Sequence, residues 1–413
     1  MTVIEFFDKD SAIENVVSTL LCKPEKVVFI GNGSKKMRRS IEKYRELALS
    51  RGLTVDFEIK SVQINNLMAV VGAIEDAASE NPDCVIDLSG GEDLCLVAVG
   101  IVYGENADSI RLHRFNISDN RMTDCDSDGV LCASMPMELS VEENISVYGG
   151  RVVYSDEKSG GTQRWDFSGE MVDDIFVMWS ECKKNPTLWN SQIKILGRIC
   201  SEKYLPEELS FSADRQELKE ATGDKAWLLG NLNEMLKRLN SLGVISNLRL
   251  NDSKLSFDFK NRQIKNCLTK EGLILELTVA VAAGEAQDEN GEPIYNDVAT
   301  GVYIDWDGEI QPEYKADVEN EIDVILMKGM VPVFISCKNG MVSIDELYKL
   351  SVVAERFGGR FVRKVLVATE LEKLGSKEGY IRARAESMGI RIVDDADIIS
   401  EDALIKKIKN LWK

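Results

Sequence analysis

The chain is 413 residues long, 44% hydrophobic and 29% charged, with 8 prolines, a balance that excludes long disordered or low-complexity tracts. One compact domain usually spans roughly 100–200 residues, so two domains and a connector are expected. The formal net charge of −19 repels polynucleotides at long range, so any nucleic-acid contact needs a locally basic cleft or bridging cations.

The opening MTVIEFFDKD has no basic segment followed by an apolar one, and no uncharged apolar run is long enough to span a bilayer. A soluble cytoplasmic protein without membrane partners is expected. Nine cysteines occur without any C-x-x-C pair, several inside apolar runs such as DCVIDLSG and VFISCK. They read as reduced, largely buried thiols rather than disulfides or zinc ligands. His113 is the sole histidine, which excludes His-cluster zinc sites and histidine-based nuclease chemistry. Catalysis must then rest on carboxylates, lysine and metal, and His113, at a strand position, reads as a packed or surface residue.

From residue 2 to about 117, short apolar runs alternate with amphipathic stretches: TVIEFF, KVVFIG, TVDFEIK, CVIDLS and IRLHRFNI are the strands, with helical segments between them. That alternation predicts a Rossmann-like α/β domain with a parallel sheet. Residues 118–170 hold an acidic loop, TDCDSDG, and a predicted hairpin, SVYGGRVVYSDE, about Gly149 and Gly150. From about 170 to 265 the pattern is mainly helical, with Trp227, Leu228, Leu232, Met235, Leu236 and Leu239 at three-to-four-residue spacing. A hairpin turned at Asn251-Asp252 follows, so this connector resembles a small winged-helix unit. The last unit begins near 266: a buried helix KEGLILELTVAVAAG, strands VYIDWD, EIDVILM and VPVFISCK, a helix through RFGG, the strand KVLVATE, another helix and the strand IRIVDD. The division is 1–150, 151–265 and 266–413, with no repeat of 20–50 residues.

Hydrolysis of a phosphodiester requires neutralisation of developing charge and a positioned water. Ser336 and Lys338 are two apart on one strand and so share a face; Asp323 lies on the preceding strand, and Glu276 on the helix before. An ammonium in an apolar strand needs an anionic partner, which makes Lys338 the candidate for orienting water and stabilising charge. Asp323 and Glu276 are oxygen donors suited to Mg2+ or Mn2+. Spacing alone equally permits a strand-end ion pair with Glu276 on a solvated helix face. In the first domain, Gly31, Asn32, Gly33, Ser34 and Lys35 follow one strand, and Ser89, Gly90 and Gly91 follow another, each opening a helix where anions can gather. Tight-turn packing explains such loops as well, and GNGSKK lacks the third glycine of a dinucleotide fingerprint.

NEID at 320–323, ISCKNG at 335–340 and RFGG at 356–359, with TVIEFFDKDSAIENVVSTLLCKPEKVVFI at the start and MELSVEENISVYGG after the first domain, resemble the CRISPR ancillary nucleases that join a CARF sensor to a PD-(D/E)XK domain. The resemblance implies a homodimer that binds a cyclic oligoadenylate, cyclic tetra-adenylate above all, and cuts single-stranded RNA and DNA while nicking duplex DNA. It also places Asp8 and Lys9 beside the ligand, on family position. Two departures stand out. Ser336 occupies the place of the acid in the (D/E)-x-K element, so Glu321, two before Asp323 on the same strand face, becomes the candidate replacement ligand, with a solvated strand residue as the equal alternative. Glu92 and Asp93 follow the Gly-Gly turn, where Thr or Lys is commoner. Asp305 and Asp307 read as turn residues. Arg356, Arg360, Arg363 and Lys364 form either a local polynucleotide track or a solvated helix face. Two further readings stay open: a DNase without small-molecule control, and a ligand-sensing regulator with an inactive nuclease fold.

Overall fold

The computed structural model describes residues 1–413 apart from 118–119, 126–129, 133–136, 224, 252, 310–317 and 399. The expected acidic loop at 123–129 and the Asn251-Asp252 turn therefore lie partly outside the described residues.

All five predicted strands of the first unit form: β1 (Thr2–Phe6), β2 (Lys26–Gly31), β3 (Asp56–Ser61), β4 (Cys84–Asp87) and β5 (Arg111–Asn116). They run parallel in the order β3-β2-β1-β4-β5, and antiparallel β6 (Arg121–Asp124) and β7 (Val130–Cys132) extend the edge. This is a mixed α/β, Rossmann-like sheet. Successive strand residues point to opposite faces. Ile4, Val28, Ile30 and Ile86 therefore pack beneath helices Leu67–Glu80 and Asp93–Asn106, while Val3, Val27 and Phe29 pack with helix Lys35–Ser50.

The hairpin expected about Gly149 and Gly150 does not form. Residues 141–147 are a helix instead, because Ser140 caps the Glu143 N–H and Glu143 returns a bond to the Ser140 N–H, a reciprocal cap that nucleates a helix at this point. The chain then gives only a two-residue strand, β8 (Arg151–Val152), which pairs with the edge of the last sheet.

The connector holds helices Gly169–Cys182, Pro186–Lys203, Arg215–Thr222 and Ala226–Ser241, and a three-stranded sheet of β9 (Ser210–Asp214), β10 (Ile245–Leu250) and β11 (Lys254–Phe259) in the order β10-β11-β9. Leu232, Met235, Leu236 and Leu239 are buried as their spacing requires, whereas Trp227, read on the same stripe, is exposed.

The last sheet runs β16-β15-β14-β13-β12-β8, with β12 (Asp297–Asp305), β13 (Glu319–Lys328), β14 (Val331–Lys338), β15 (Arg363–Ala368) and β16 (Ile390–Val393). β12, β13 and β14 are antiparallel neighbours, and β15 and β16 add in parallel. Helix Leu273–Gly284 covers one face and helix Ile344–Gly358 the other. A further helix, Glu401–Ile408, absent from the sequence reading, docks Leu404 and Ile408 and is capped by Ser400. Among the described residues no helix is long and apolar enough to cross a membrane.

Candidate functional site

Asp323 and Lys338 meet where β13 and β14 part. The paired register ends at Val324 and Ile335; beyond it the Cys337 N–H donates to Asp323 Oδ2 at 2.6 Å instead of continuing the ladder. Ser336 Oγ donates to the same oxygen at 3.1 Å, and Lys338 Nζ lies 3.3 Å from it. One carboxylate oxygen thus collects three donors, and the shared face expected for Ser336 and Lys338 is realised. Lys338 has a second partner, Glu346 Oε2 at 3.4 Å, in the first turn of helix Ile344–Gly358. Burial by itself would lower the Lys338 ammonium, but Asp323 and Glu346 outweigh it and hold it above its ordinary value.

Glu276 lies on the helix that covers the sheet face opposite helix Ile344–Gly358. Its helix is buried nearly all round, from Leu273 through Ala283, and such a helix offers a carboxylate little water. Burial, then the charges of Asp323 and Glu321, push the Glu276 carboxyl up to about 8, against partial relief from Lys338 and Lys270. Glu321 is raised for the same reasons, burial first and Asp323 next. The four predicted side chains therefore share one electrostatic environment. They do not close into a ligand shell: among the described residues, no three His, Cys, Asp or Glu side chains stand close enough together to hold a metal ion.

Sequence reasoning missed Glu346 and Lys270. Glu346 sits in a helix first turn, where an acid is ordinary for the helix dipole, so nothing local marks it as a partner of Lys338. Asp305, read as a turn residue, is one: its Oδ1 accepts the N–H groups of Asp307 and Glu309, each at 3.1 Å.

In the first sheet, β2, β1 and β4 are neighbours, so the loops after them lie side by side. Those loops carry Asn32 to Lys35, Asp8 with Lys9, and Ser89 to Gly91. Gly33 and Gly91 have φ of +63° and +100°, and a side chain at Gly91 would press on Phe6 at 2.8 Å, which is the packing reason for glycine there. Ser34 caps the following helix through the Met37 N–H, and Asn32 accepts the Ser34 N–H. Ser89 Oγ bridges Asp87 and the Phe115 N–H. Beneath these loops lies a buried polar cluster that the sequence did not reveal: Glu5, Ser18, Asp87 and His113. Ser18 donates to Asp87 and stands 3.2 Å from His113 Nε2. Burial lowers the imidazole pKa and raises that of Glu5 well above its ordinary value. His113 is thus a packed residue.

The basic residues about helix Ile344–Gly358 each have partners within the chain. Arg356 donates to the Tyr148 carbonyl, Arg363 to the carbonyls of Trp412 and Phe361, and Lys364 to Ser351 and Glu355. Arg360 turns to Asp8, Ser11 and Glu14 of the first unit.

No family model matches the chain, and no curated protein matches it. Solved structures do match its fold over nearly the whole length. The protein VC1899 from Vibrio cholerae aligns over 99% of this chain and 97% of its own, at 16% identity and a TM-score of 0.73. Can2 from Sulfobacillus thermosulfidooxidans, whose structure is a complex with cyclic tetra-adenylate, aligns over 99% and 97%, at 16% identity and a TM-score of 0.62. The chain therefore shares its fold with these proteins over nearly its whole length.

Proposed function

We propose that the chain is a cyclic-oligoadenylate-activated, metal-dependent nuclease of type III CRISPR defence, working in the cytoplasm on single-stranded RNA and DNA and nicking duplex DNA. The observation that carries it is the Asp323–Lys338 pair, set beside Glu276 in a chain whose whole fold aligns with a cyclic tetra-adenylate complex. Residues 1–150 are the CARF sensor and 151–265 the connector. Residues 266–413 are a PD-(D/E)XK domain, a reading supported by the order helix, antiparallel β12, β13 and β14, helix, β15. Cyclic tetra-adenylate would be held by the loops at Asp8 and Lys9, at Gly31 to Lys35 and at Ser89 to Gly91. An exposed apolar face, Met68, Leu96, Val97 and Ile101, on helices Leu67–Glu80 and Asp93–Asn106 supports a homodimer built through the sensor.

The donor chemistry fits a hard divalent cation. Asp323, Glu276 and Glu321 are all oxygen donors, and a nearby cation would favour the ionised Glu276 that burial and the neighbouring acids disfavour. Bound there, Mg2+ or Mn2+ would neutralise charge on the scissile phosphate. Lys338, held charged between Asp323 and Glu346, orients the attacking water and stabilises negative charge on the phosphoryl oxygens. Glu276, once ionised, accepts a proton from that water.

The test is incubation with Mn2+, labelled RNA and plasmid, with and without cyclic tetra- and hexa-adenylate. Ligand-dependent cleavage is expected, lowered at least about a hundredfold in Lys338→Ala. Ser336, in place of an acid, favours one second reading, a sensor with an inactive nuclease fold; cleavage by the wild type that Lys338→Ala abolishes discards it. Cleavage indifferent to the added ring points to a DNase without small-molecule control.

A further inference from the structure

We propose that Arg360 is a positioning residue that couples the sensor loop after β1 to Lys338. This rests on the sensor-nuclease reading above and adds the route between its two halves.

Arg360 follows helix Ile344–Gly358 directly, in the turn Gly359–Phe361. Its Nε donates to Ser11 Oγ at 2.8 Å, and its Nη2 lies 2.8 Å from Glu14 Oε2 and 3.2 Å from Asp8 Oδ2. The loop it grips is itself fixed: the Asp8 N–H donates to Asn15 Oδ1 at 2.8 Å, and Asn15 Nδ2 returns a bond to the Asp8 carbonyl at 2.6 Å. Glu14 also borders the second ligand turn, since its Cβ would stand 3.4 Å from a side chain at Gly90. The same helix end has two other anchors, Asn144 Nδ2 to the Phe357 carbonyl and Arg356 Nη1 to the Tyr148 carbonyl. Both belong to the segment after the sensor sheet. Of the three anchors, Arg360 is the one that reaches a ligand loop.

The other end of that helix carries Glu346, 3.4 Å from Lys338. Fifteen helical residues span about 22 Å and move as a rod, so one element joins Asp8 to the candidate catalytic lysine. Its sensor end is sensitive to anions for an electrostatic reason. Phosphates arriving beside Asp8 and Glu14 repel those carboxylates and loosen their hold on the Arg360 guanidinium. Ligand binding therefore changes what Arg360 holds, and the rod carries the change to Glu346. Coupling of this kind is a free energy shared by two sites, and Arg360→Ala should remove it without emptying either site.

The experiment compares full-length wild type, Arg360→Ala and Arg360→Lys, with thermal melts confirming that each folds. Hydrogen exchange is followed with and without cyclic tetra-adenylate, alongside ligand affinity and cleavage. In wild type, the ring should change exchange both in 8–15 and in 344–358. In Arg360→Ala, the loop response should persist and the helix response vanish. Stimulation of cleavage should fall at least about tenfold, while affinity stays within about threefold of wild type. Arg360→Lys should restore only part, because a single ammonium cannot hold Ser11 through one nitrogen and the two carboxylates through another. A helix response retained in Arg360→Ala, or an affinity loss large enough to account for all the lost stimulation, overturns the proposal. If the wild-type loops do not respond to the ring at all, the sensor reading has failed; if they respond and the wild-type helix stays silent, the coupling alone is overturned.

Discussion

At the scale of single residues, Glu276 carries the clearest cost. An ordinary glutamate titrates at 4.5, and this one is pushed up to about 8 by burial and by two neighbouring acids. The folded chain thus retains a proton there through a range in which the unfolded chain has lost it. The contribution to stability is fully present below about 4.5 and is lost as the pH rises through about 8. Glu276→Gln, neutral at every pH, should accordingly melt higher than wild type at pH 8.5 and alike at pH 4.5. Added Mg2+ should narrow the gap at pH 8.5, because a cation at this site stabilises the ionised wild type. Thermal melts across pH check both statements, and a gap independent of pH refutes the first. The pairing of Asp323 with Lys338 was legible in the sequence, since i and i+2 positions and adjacent strands fix it. Glu346 was not, because a helix can be laid against a strand at many angles.

Among the elements, helix Val141–Val147 shows how a short local signal outweighs a composition signal. Two adjacent glycines flanked by apolar residues read as a hairpin, yet Ser140 and Glu143 satisfy one another's backbone groups, and a helix precedes the glycines instead. Removing the Ser140 hydroxyl by Ser140→Ala should cost about 1 kcal/mol of local stability. That loss is read as a roughly fivefold rise in amide exchange across Val141–Val147; unchanged exchange means that the flanking packing, rather than the cap, holds the helix. Helix Leu273–Gly284 is the opposite case. Its unbroken apolar run announces burial, and the single acid within it announces a site.

For the whole molecule, the apolar cluster that starts on Val3, Phe29 and Tyr44 of the first unit continues through Val141 and Ile145 to Phe334 and Phe357 of the last. The first and last units are packed together, so a displacement in one is felt in the other. The outward face with Met68, Leu96, Val97 and Ile101 is exposed, without such cover among the described residues. Val97→Asp should therefore give a monomer by sedimentation and lose ligand-stimulated cleavage while its melting temperature stays near that of wild type. A dimer that survives the substitution assigns the two-fold contact elsewhere.

The sequence by itself determined the five parallel strands, the connector's helices and hairpin, the antiparallel strands of the last sheet and the pairing of Asp323 with Lys338. All of these follow from periodicity and near neighbours along the chain. Only the tertiary structure decided that Glu276 is buried within reach of the charges of Asp323 and Glu321, that Glu346 balances Lys338, and that Arg360 reaches back some 350 residues to Asp8. Such contacts are set by how the elements pack, and no local pattern in the chain encodes the angle at which one element meets another.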